Sequence, residues 1–279
     1  MTEFLTIPLG FEVMQRAALM AAIVTVPAAL LSCFVVLKGW SLMGDAISHA
    51  VLPGIVLAWL TGLPLVIGAL AAGLGCGSLS SYMRARTPLK PDAVLGVVMS
   101  AMFALGLFLH TKIETGLHID HILFGNILRV QTRDLWVSGL IGAAVAVAVL
   151  IWRRDLTLFA FDPVQAQIMG LDLRLFQNAL MAGIVLVVVA TLSSVGLILA
   201  VSVLIAPGAT AFLLTRRMGA MLAVASGLAL FAGQAGLIAS FWLDAAPAPT
   251  IVLILTAEFI AAFIWRARRA SLDLRPPHA

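Results

Sequence analysis

Charge is scarce in this sequence, and no polar stretch approaches the length of a soluble domain. Only 11% of the 279 residues are Asp, Glu, Lys or Arg, whereas 62% are hydrophobic and the mean hydropathy is +1.10. A soluble domain is roughly half apolar and about a quarter charged. This composition excludes a soluble domain and predicts an integral membrane protein.

Several motifs of known chemistry are also missing. No G-x-x-x-x-G-K-[ST] phosphate loop occurs, so the chain cannot hydrolyse ATP by the usual P-loop route. Neither H-E-x-x-H nor G-x-S-x-G occurs, and no nucleophile with an adjacent base is evident. The two cysteines, Cys33 and Cys76, lie in apolar runs without a ligand spacing and are interpreted as small membrane residues. The sequence therefore predicts a protein that is not itself an enzyme, and its net charge of +4 gives no reason to expect a nucleic-acid partner.

Hydrophobic runs of about 20 residues, the length that crosses a bilayer as a helix, recur along the chain. The predicted spans are 14–37, 45–61, 64–83, 92–111, 134–152, 175–193, 195–214, 220–242 and 249–265. The basic residues cluster in the connections on one side of these spans, and of the 17 only four lie elsewhere: Arg16, Lys112, Arg129 and Arg133. By the positive-inside rule, the N-terminus lies outside and the C-terminus is cytoplasmic. The expected fold is an all-α polytopic membrane helix bundle of about eight or nine transmembrane helices.

Asp45 and His49 stand out because both lie inside a predicted span. An Asp at mid-helix costs about 2.5 to 3.5 kcal/mol on insertion scales, so something in its surroundings or its role has to compensate for that cost. Residues four apart share one face of a helix. A carboxylate beside an imidazole suits manganese, iron or zinc. Pro53 removes the hydrogen bond to the carbonyl of His49, and broken helices commonly border ion sites in transporters.

A second interpretation of this pair involves no metal. Asp45 then caps the N-terminus of the helix, because Asp is a good capping residue, and His49 is a satisfied core histidine. Ser41 or Ser48 satisfies local donors under either interpretation. The spacing alone leaves both interpretations open.

The stretch KGWSLMGDAISHAVLPG at 38–54 resembles the signature of the ABC-3 family, the membrane subunits of bacterial ABC importers for manganese, zinc and iron. Three further segments are similar to family sequence: SSVGLILAVSVLIAPGATAFLLTRR at 193–217, PAPTIVLILTAEFIAAFIW at 247–265 and HIDHILFGNIL at 118–128. The last of these resembles the manganese and iron branch especially. The resemblance covers nearly the whole chain and implies a single ABC importer transmembrane domain, 1–279.

This resemblance also implies the roles of individual residues. Asp45 and His49 are expected to line the metal pathway, with Ser48 and Pro53 as further positions along it. Partners implied are a second copy of the chain, a separate ATP-binding cassette ATPase and an extracytoplasmic metal-binding protein. The chain is then a multi-pass protein of the bacterial inner (plasma) membrane, with no permanently bound cofactor and a divalent metal as cargo.

The longest predicted cytoplasmic loop contains FAFDPVQAQIMGLDLRLF at 159–176. Asp162 is a natural N-cap, Pro163 a natural first-turn residue and Gly170 a natural stop, which predicts a two-turn helix. It resembles the coupling helix by which such permeases dock on their ATPases, and is placed at about 162–173. The residues assigned to this contact are Asp162, Pro163, Ala166, Ile168, Met169 and Gly170. The alternative is an interfacial helix lying on the membrane, although such helices usually carry more Lys and Arg.

Two other regions carry ionisable or helix-breaking residues. In the outer loop 112–133, His118, Asp120 and His121 are expected to dock the binding protein, with weak direct metal binding as the alternative. Glu258 lies deep in the last span, where an acid is functional by default, or else pairs with a basic or hydroxyl group on another helix. Pro207 should free the carbonyl of Val203, which makes this region a second candidate for the pathway or gate.

The function expected from the sequence is the permease subunit of an ATP-driven importer for divalent transition metals. Manganese is favoured because the outer-loop motif resembles that branch and the ligands are not thiolates, while zinc and iron stay open. A second hypothesis is a proton-coupled secondary metal transporter with Asp45 and Glu258 as the relay. The docking helix and the lack of clear internal self-similarity count against it.

Overall fold

The computed structural model describes residues 7–8, 10–84, 86–113 and 127–273. Within those ranges every long regular element is an α-helix, and one 3₁₀ turn occurs at Ile127–Arg129. In chain order the helices are α1 (Glu12–Leu37), α2 (Met43–Ala50), α3 (Leu52–Thr61), α4 (Leu65–Arg84), α5 (Pro91–Lys112), α6 (Thr132–Ile151), α7 (Arg153–Phe161), α8 (Pro163–Ile168), α9 (Leu173–Val195), α10 (Leu197–Leu214), α11 (Met218–Trp242) and α12 (Pro247–Asp273).

Nine segments of the described chain are long and apolar enough to cross a membrane. They correspond one to one to the nine predicted spans, with α2 and α3 together forming the second segment, Met43–Thr61. The all-α polytopic fold predicted from composition and hydropathy is therefore confirmed. The two short helices that do not span, α7 and α8, lie between the fifth and sixth segments.

The hydropathy pattern left one division uncertain, between the spans at 175–193 and 195–214. The structure divides them at Gly196, whose φ of +91° lies in the region that L-residues with side chains rarely adopt. α9 therefore ends at Val195 and α10 begins at Leu197. A glycine at this position lets two spans meet through a single residue.

The core is organised around α1. This helix packs against α6, α9, α10 and α11, and α12 covers α10 and α11 from the other side. Large side chains from several helices are fully buried along it: Met20, Leu31, Phe34, Ile184, Leu199 and Leu204. α2 and α3 pack against α4 and α5 at one flank of this core, and that flank contains the Asp45–His49 pair.

Both cysteines are free and buried, which agrees with their interpretation as small membrane residues. Cys33 lies in the main core, and its Sγ is 3.5 Å from the carbonyl oxygen of Ala29 in the same helix. Cys76 lies in a smaller apolar cluster with Ala50, Val94 and Val98. Among the described residues, neither thiol is paired with a second thiol or an imidazole.

Small residues fix the contact between α3 and α4. The two helices form a hairpin whose turn is made by Gly62, at φ +69°, and the amide of Leu63 donates to the carbonyl of Ala58 (2.9 Å). The backbones of Gly54 and Gly68 then face one another so closely that a methyl group on either would overlap the other. This hairpin continues directly from α2 and so holds one end of the segment that contains Asp45.

Candidate functional site

The signature segment forms a helix that is interrupted in its middle. α2 ends at Ala50, Val51 lies in a turn, and α3 begins at Leu52 with Pro53 in its first turn. Proline is tolerated in the first turn of a helix because the amide it lacks would have no partner there. The predicted break at Pro53 therefore coincides with the junction between two short helices.

The carbonyl that Pro53 leaves without a donor is that of His49. The amide of Val51, which caps α2, donates to the carbonyls of both Ile47 and His49. The His49 oxygen thus receives one backbone donor, although none comes from Pro53. The oxygen is therefore not bare, because the chain turns at Val51 and brings an earlier amide close.

Asp45 and His49 lie one helical turn apart on the same face of α2, as their spacing predicted. The distance between His49 Nε2 and Asp45 Oδ1 is 3.5 Å. The side chains are 38% exposed for Asp45 and 29% for His49, so both are partly open to the space beside α2. A carboxylate and an imidazole at this separation can both reach a single cation between them.

The position of Asp45 bears on the capping interpretation. The N-cap of α2 is Leu42, and no side chain makes a cap hydrogen bond there. Asp45 lies in the first turn, where its charge favours the helix N-terminus, but it does not occupy the capping position. Its nearest described partner is His49 instead of the helix amides.

The surroundings of His49 also differ from those expected for a core histidine whose ring nitrogens are both hydrogen-bonded. Its Nδ1 is buried and has no hydrogen-bond partner among the described residues. The ring packs edge-on against Phe103 of α5, with centroids 5.1 Å apart and an interplanar angle of 80°. Phe103 thus fixes the plane of the imidazole, and Nε2 is the nitrogen that faces Asp45. This contact could not be predicted from the sequence, because Phe103 and His49 are far apart along the chain.

The other predicted pathway residues differ in their surroundings. Ser48 is 2% exposed and its hydroxyl donates to the carbonyl of Gly44 (2.8 Å) within α2. Its hydroxyl is therefore already paired inside its own helix.

Among the described residues, no group of three or more His, Cys, Asp or Glu side chains could hold a metal. One copy of the described chain thus offers two such side chains at this site, Asp45 and His49.

Pro207 and Glu258 lie on neighbouring helices of another part of the core. Pro207 is buried inside α10, which runs without interruption from Leu197 to Leu214. Arg266 of α12 donates to the carbonyls of Phe212 (3.4 Å) and Leu213 (3.0 Å) at the end of α10. If the two helices cross the bilayer in the same direction, as alternating spans require, Glu258 lies at about the height of Pro207.

Glu258 has an unusual environment for an acid in a span. Both of its carboxyl oxygens are buried, and neither has a hydrogen-bond partner among the described residues. The alternative in which it pairs with a basic or hydroxyl group across a helix interface is therefore wrong for the described part of the chain. Glu258 and Asp45 lie on different helices, α12 and α2.

The segment at 159–176 has the local features that its sequence predicted. The Asp162 carboxylate accepts a hydrogen bond from the amide of Gln165 (2.9 Å), and Pro163 is the first residue of α8. Gly170 has a φ of +84°, which stops the helix. α8 itself ends at Ile168, earlier than the predicted limit at about 173, because Asp172 caps the next helix, α9.

One side of α8 is buried and the other is bare and apolar. Ala166 is fully buried between α8 and its neighbours. Val164, Ile168 and Met169 are 69%, 80% and 67% exposed. Val164 and Ile168 lie on the helix and Met169 follows its last residue, so the three form a compact apolar surface that nothing in the described chain covers. We call these three residues the apolar patch of α8.

The predicted docking residues of the outer loop, His118, Asp120 and His121, lie outside the described residues. The described chain resumes at Ile127 and enters α6 through a capping box. There the amide of Gln131 donates to the Asp134 carboxylate at 3.1 Å.

Comparisons with known proteins agree with this architecture. The model of the ABC 3 transport family matches residues 10–266. The chain is 44% identical to the chelated iron transport system membrane protein YfeD of Yersinia pestis, over 92% of this chain and 87% of the relative. It is 40% identical to the manganese transport system membrane protein MntB of Synechocystis, over 94% of this chain and 86% of the relative.

A solved structure is similar as well. It is PsaBC from Streptococcus pneumoniae in complex with Fab, with a TM-score of 0.84 and 35% identity over 94% of this chain and 95% of that chain. The matched family region includes the first eight spans, most of the ninth and both members of the Asp45–His49 pair. The chain belongs to the ABC 3 transport family.

Proposed function

We propose that this chain is the permease subunit of an ATP-driven importer for divalent transition metal ions, with manganese as the favoured cargo. The observation that carries the proposal is the Asp45–His49 pair, 3.5 Å apart on an interrupted helix of a nine-span member of this family. Relatives named for manganese and for chelated iron transport support a metal cargo. The chain itself supplies the pathway and no ATP hydrolysis.

The ligand chemistry bears on which metal is carried. A carboxylate and an imidazole suit manganese, iron and zinc, and thiolates that would favour softer ions are not near the pair. Iron is the second choice because the relatives include an iron system. Zinc is the third. A pathway with few protein ligands also suits transport, because an ion must be able to leave its site.

The small number of ligands in one chain supports a homodimer. Asp45 and His49 supply two ligands, fewer than the four to six that such ions usually take. A second copy, related by a two-fold axis that passes beside α2, would double the set to four. The partial exposure of both side chains is what such an arrangement requires.

ATP-driven movement requires a place for the ATPase to bind. The apolar patch of α8 supports that role, since three exposed side chains on a capped helix suit insertion into a groove. In this arrangement α8 faces the cytoplasm, the N-terminus lies outside and an extracytoplasmic binding protein docks on the opposite face. His118, Asp120 and His121 belong to that opposite face.

Replacing Ile168 with aspartate should therefore prevent association with the ATPase. The substitution places a charge at the centre of the apolar patch, and desolvating it in an interface should weaken binding at least about tenfold. Co-purification of the ATPase with tagged permease measures the effect. Leu243→Asp is the matched control. Leu243 is 69% exposed and lies in the connection between α11 and α12, which in this arrangement is on the opposite face of the membrane from α8. Equal loss of ATPase from both variants would contradict the assignment of α8.

Glu258 and Pro207 support a second proposal about the pathway. An acid with two unpartnered buried oxygens, at the height of a proline that removes a helix hydrogen bond, suits a gate or an intermediate ion position. The same unpartnered acid is the observation that favours the other candidate function, a proton-coupled secondary transporter. The two functions differ in their energy source, which can be controlled experimentally.

The deciding experiment is uptake into proteoliposomes that contain this chain with its ATPase and binding protein. Radioactive manganese, iron and zinc are supplied in parallel, with ATP or with an imposed proton gradient. We expect uptake that depends on ATP and the binding protein and is fastest for manganese. Uptake by the chain alone under a proton gradient would establish the secondary transporter instead.

A further inference from the structure

Lys38 makes a specific contact with a part of the chain far away in sequence. It follows the last residue of α1, and its ammonium donates a hydrogen bond to the carbonyl of Phe159 in α7 (3.2 Å). The same Nζ lies 3.9 Å from the centroid of the Phe159 ring. One side chain therefore attaches the end of α1 to α7 through both the backbone and the aromatic face of a single residue.

The ammonium of Lys38 depends on Phe159 for its interactions. No carboxylate of the described residues lies within ion-pair distance of it. Burial lowers the pKa of Lys38, and the nearby charge of Arg84 lowers it further. A partly desolvated cation interacts more strongly with an aromatic face than an exposed one does. Phe159 is thus the main described partner of this charge.

Phe159 is in turn fixed within the helices that lead to α8. It is 3% exposed, and its ring stacks on Phe176 of α9 with centroids 6.4 Å apart. α7 ends at Phe161, α8 begins two residues later, and the two helices are in contact. Because buried side chains pack without free volume, a displacement of α8 is transmitted to Phe159.

On its other side, Lys38 is joined to α2 by a tight turn. Gly39 has a φ of +65°, and the amides of Gly39 and Trp40 donate to the carbonyls of Val36 and Val35. This is a Schellman motif, which ends a helix in a fixed geometry. Trp40 is 5% exposed, and its carbonyl accepts from the amide of Met43, the first residue of α2. Asp45 lies two residues further on.

We propose that Lys38 is a positioning residue that couples α8 to the metal pair, so that movement of α8 on its ATPase reorients α2 and with it Asp45 and His49. The path runs from α8 through Phe159 of α7 and Lys38 to the turn at Trp40. Its links are the contact between α7 and α8, the hydrogen bond and ring contact of the partly buried Lys38 with Phe159, and the backbone hydrogen bonds of the turn. This inference rests on the proposed function, and two measurements separate the failure of one from the failure of the other.

The first measurement is the number of metal ions imported per ATP hydrolysed, in proteoliposomes with the ATPase and binding protein. Lys38→Met keeps the apolar stem and removes the charge. We expect the ratio to fall at least about fivefold, the lower limit of typical allosteric coupling, while ATP hydrolysis and subunit association stay near wild type. Lys38→Arg should restore most of the ratio, because a guanidinium also donates and also binds an aromatic face.

Phe159→Leu should reproduce the loss, and the double variant with Lys38→Met should be no worse than either single variant, because both remove the same link. Lys90→Met is the matched control, since Lys90 is an exposed lysine in the connection before α5. Loss of ATP hydrolysis in proportion to uptake in Lys38→Met would assign Lys38 a structural role and overturn the proposal. An unchanged ratio would overturn it equally.

The second measurement needs neither metal nor ATPase. Hydrogen exchange of the purified chain in nanodiscs reports how firmly α2 is held. We expect amides 43–50 to exchange about tenfold faster in Lys38→Met than in wild type, and at the wild-type rate in Lys90→Met and Lys38→Arg. If exchange of these amides were unchanged in Lys38→Met, the proposed link between Lys38 and α2 would be overturned, whether or not the protein imports metal. If amides 43–50 exchanged faster in Lys38→Met but the wild-type protein imported no metal, the link would stand and only the proposed function would be refuted.

Discussion

Asp45→Asn and His49→Ala should each reduce ATP-driven metal uptake on the order of tenfold or more, without loss of membrane insertion. Asn keeps the shape of Asp but neither its charge nor its strength as a ligand for a hard cation. Ala removes the imidazole, whose Nε2 lies 3.5 Å from Asp45 Oδ1. Substituting residues that only support a metal ligand typically costs 10- to 100-fold, so the loss of a ligand should cost at least as much.

Stability alone does not predict such an effect. In the first turn of α2, the charge of Asp45 contributes about 0.3 to 1 kcal/mol through the helix dipole, and its partial exposure reduces that value. The loss of one imidazole that is 29% exposed leaves a small space against Phe103. Both variants should therefore reach the membrane at near wild-type levels, which immunoblots of washed membranes can measure beside uptake.

Ser48→Ala is the matched control, because Ser48 lies between the two residues on the same helix. Its hydroxyl is buried and donates to the carbonyl of Gly44, so its loss removes one hydrogen bond within α2. We expect uptake close to wild type. Wild-type uptake in Asp45→Asn and His49→Ala would return Asp45 to a helix-stabilising role. The pathway would then have to be sought near Pro207 and Glu258.

Much of the fold could be predicted because a bilayer constrains it so strongly. Backbone amides and carbonyls must pair within each segment, so an apolar run of about 20 residues is a helix. Two details followed from residues whose backbone is restricted or unusually free. Pro53 coincides with the division of the second span into α2 and α3, and Gly196 with the division of α9 from α10.

The candidate site could be predicted only where it is local. The one-turn spacing of Asp45 and His49 brings them together on any helix, and the Asp162 cap is likewise a contact between near neighbours. The contact of Phe103 with His49 and that of Lys38 with Phe159 depend on how distant helices pack. Hydropathy carries no information about such packing, because it does not tell which helices lie side by side.

Gly68→Ala should prevent the α3–α4 hairpin from forming and remove most of the folded protein. An added Cβ would lie 2.6 Å from the Cβ of Ala58, 2.8 Å from the carbonyl carbon of Gly54, and closer still to the Gly54 oxygen. Ordinary overpacking costs about 1 to 3 kcal/mol, because side chains can rotate aside. Here backbone atoms oppose the methyl group and cannot, so we expect a larger cost. The melting temperature and monodispersity of detergent-solubilised protein measure it.

Gly75→Ala is the control within the same helix, since a Cβ on Gly75 meets nothing within 4 Å. It should leave the melting temperature unchanged or slightly raised, because alanine is the better helix former. If the Gly68→Ala and Gly75→Ala variants had the same melting temperature, α3 and α4 would be able to separate without cost. The close approach of the two helices would then have no bearing on stability.

The same contact can be approached from its other side. Gly54 and Ala58 on α3 meet Gly68 and Ala72 on α4, so each helix contributes a glycine and an alanine four residues apart. Such pairs of small residues let helix backbones approach closely in a bilayer. Gly54→Ala should therefore be as damaging as Gly68→Ala. Because either methyl group already forces the helices apart, the double variant should be little worse than each single variant, and additive losses would mean that the two glycines act at separate contacts.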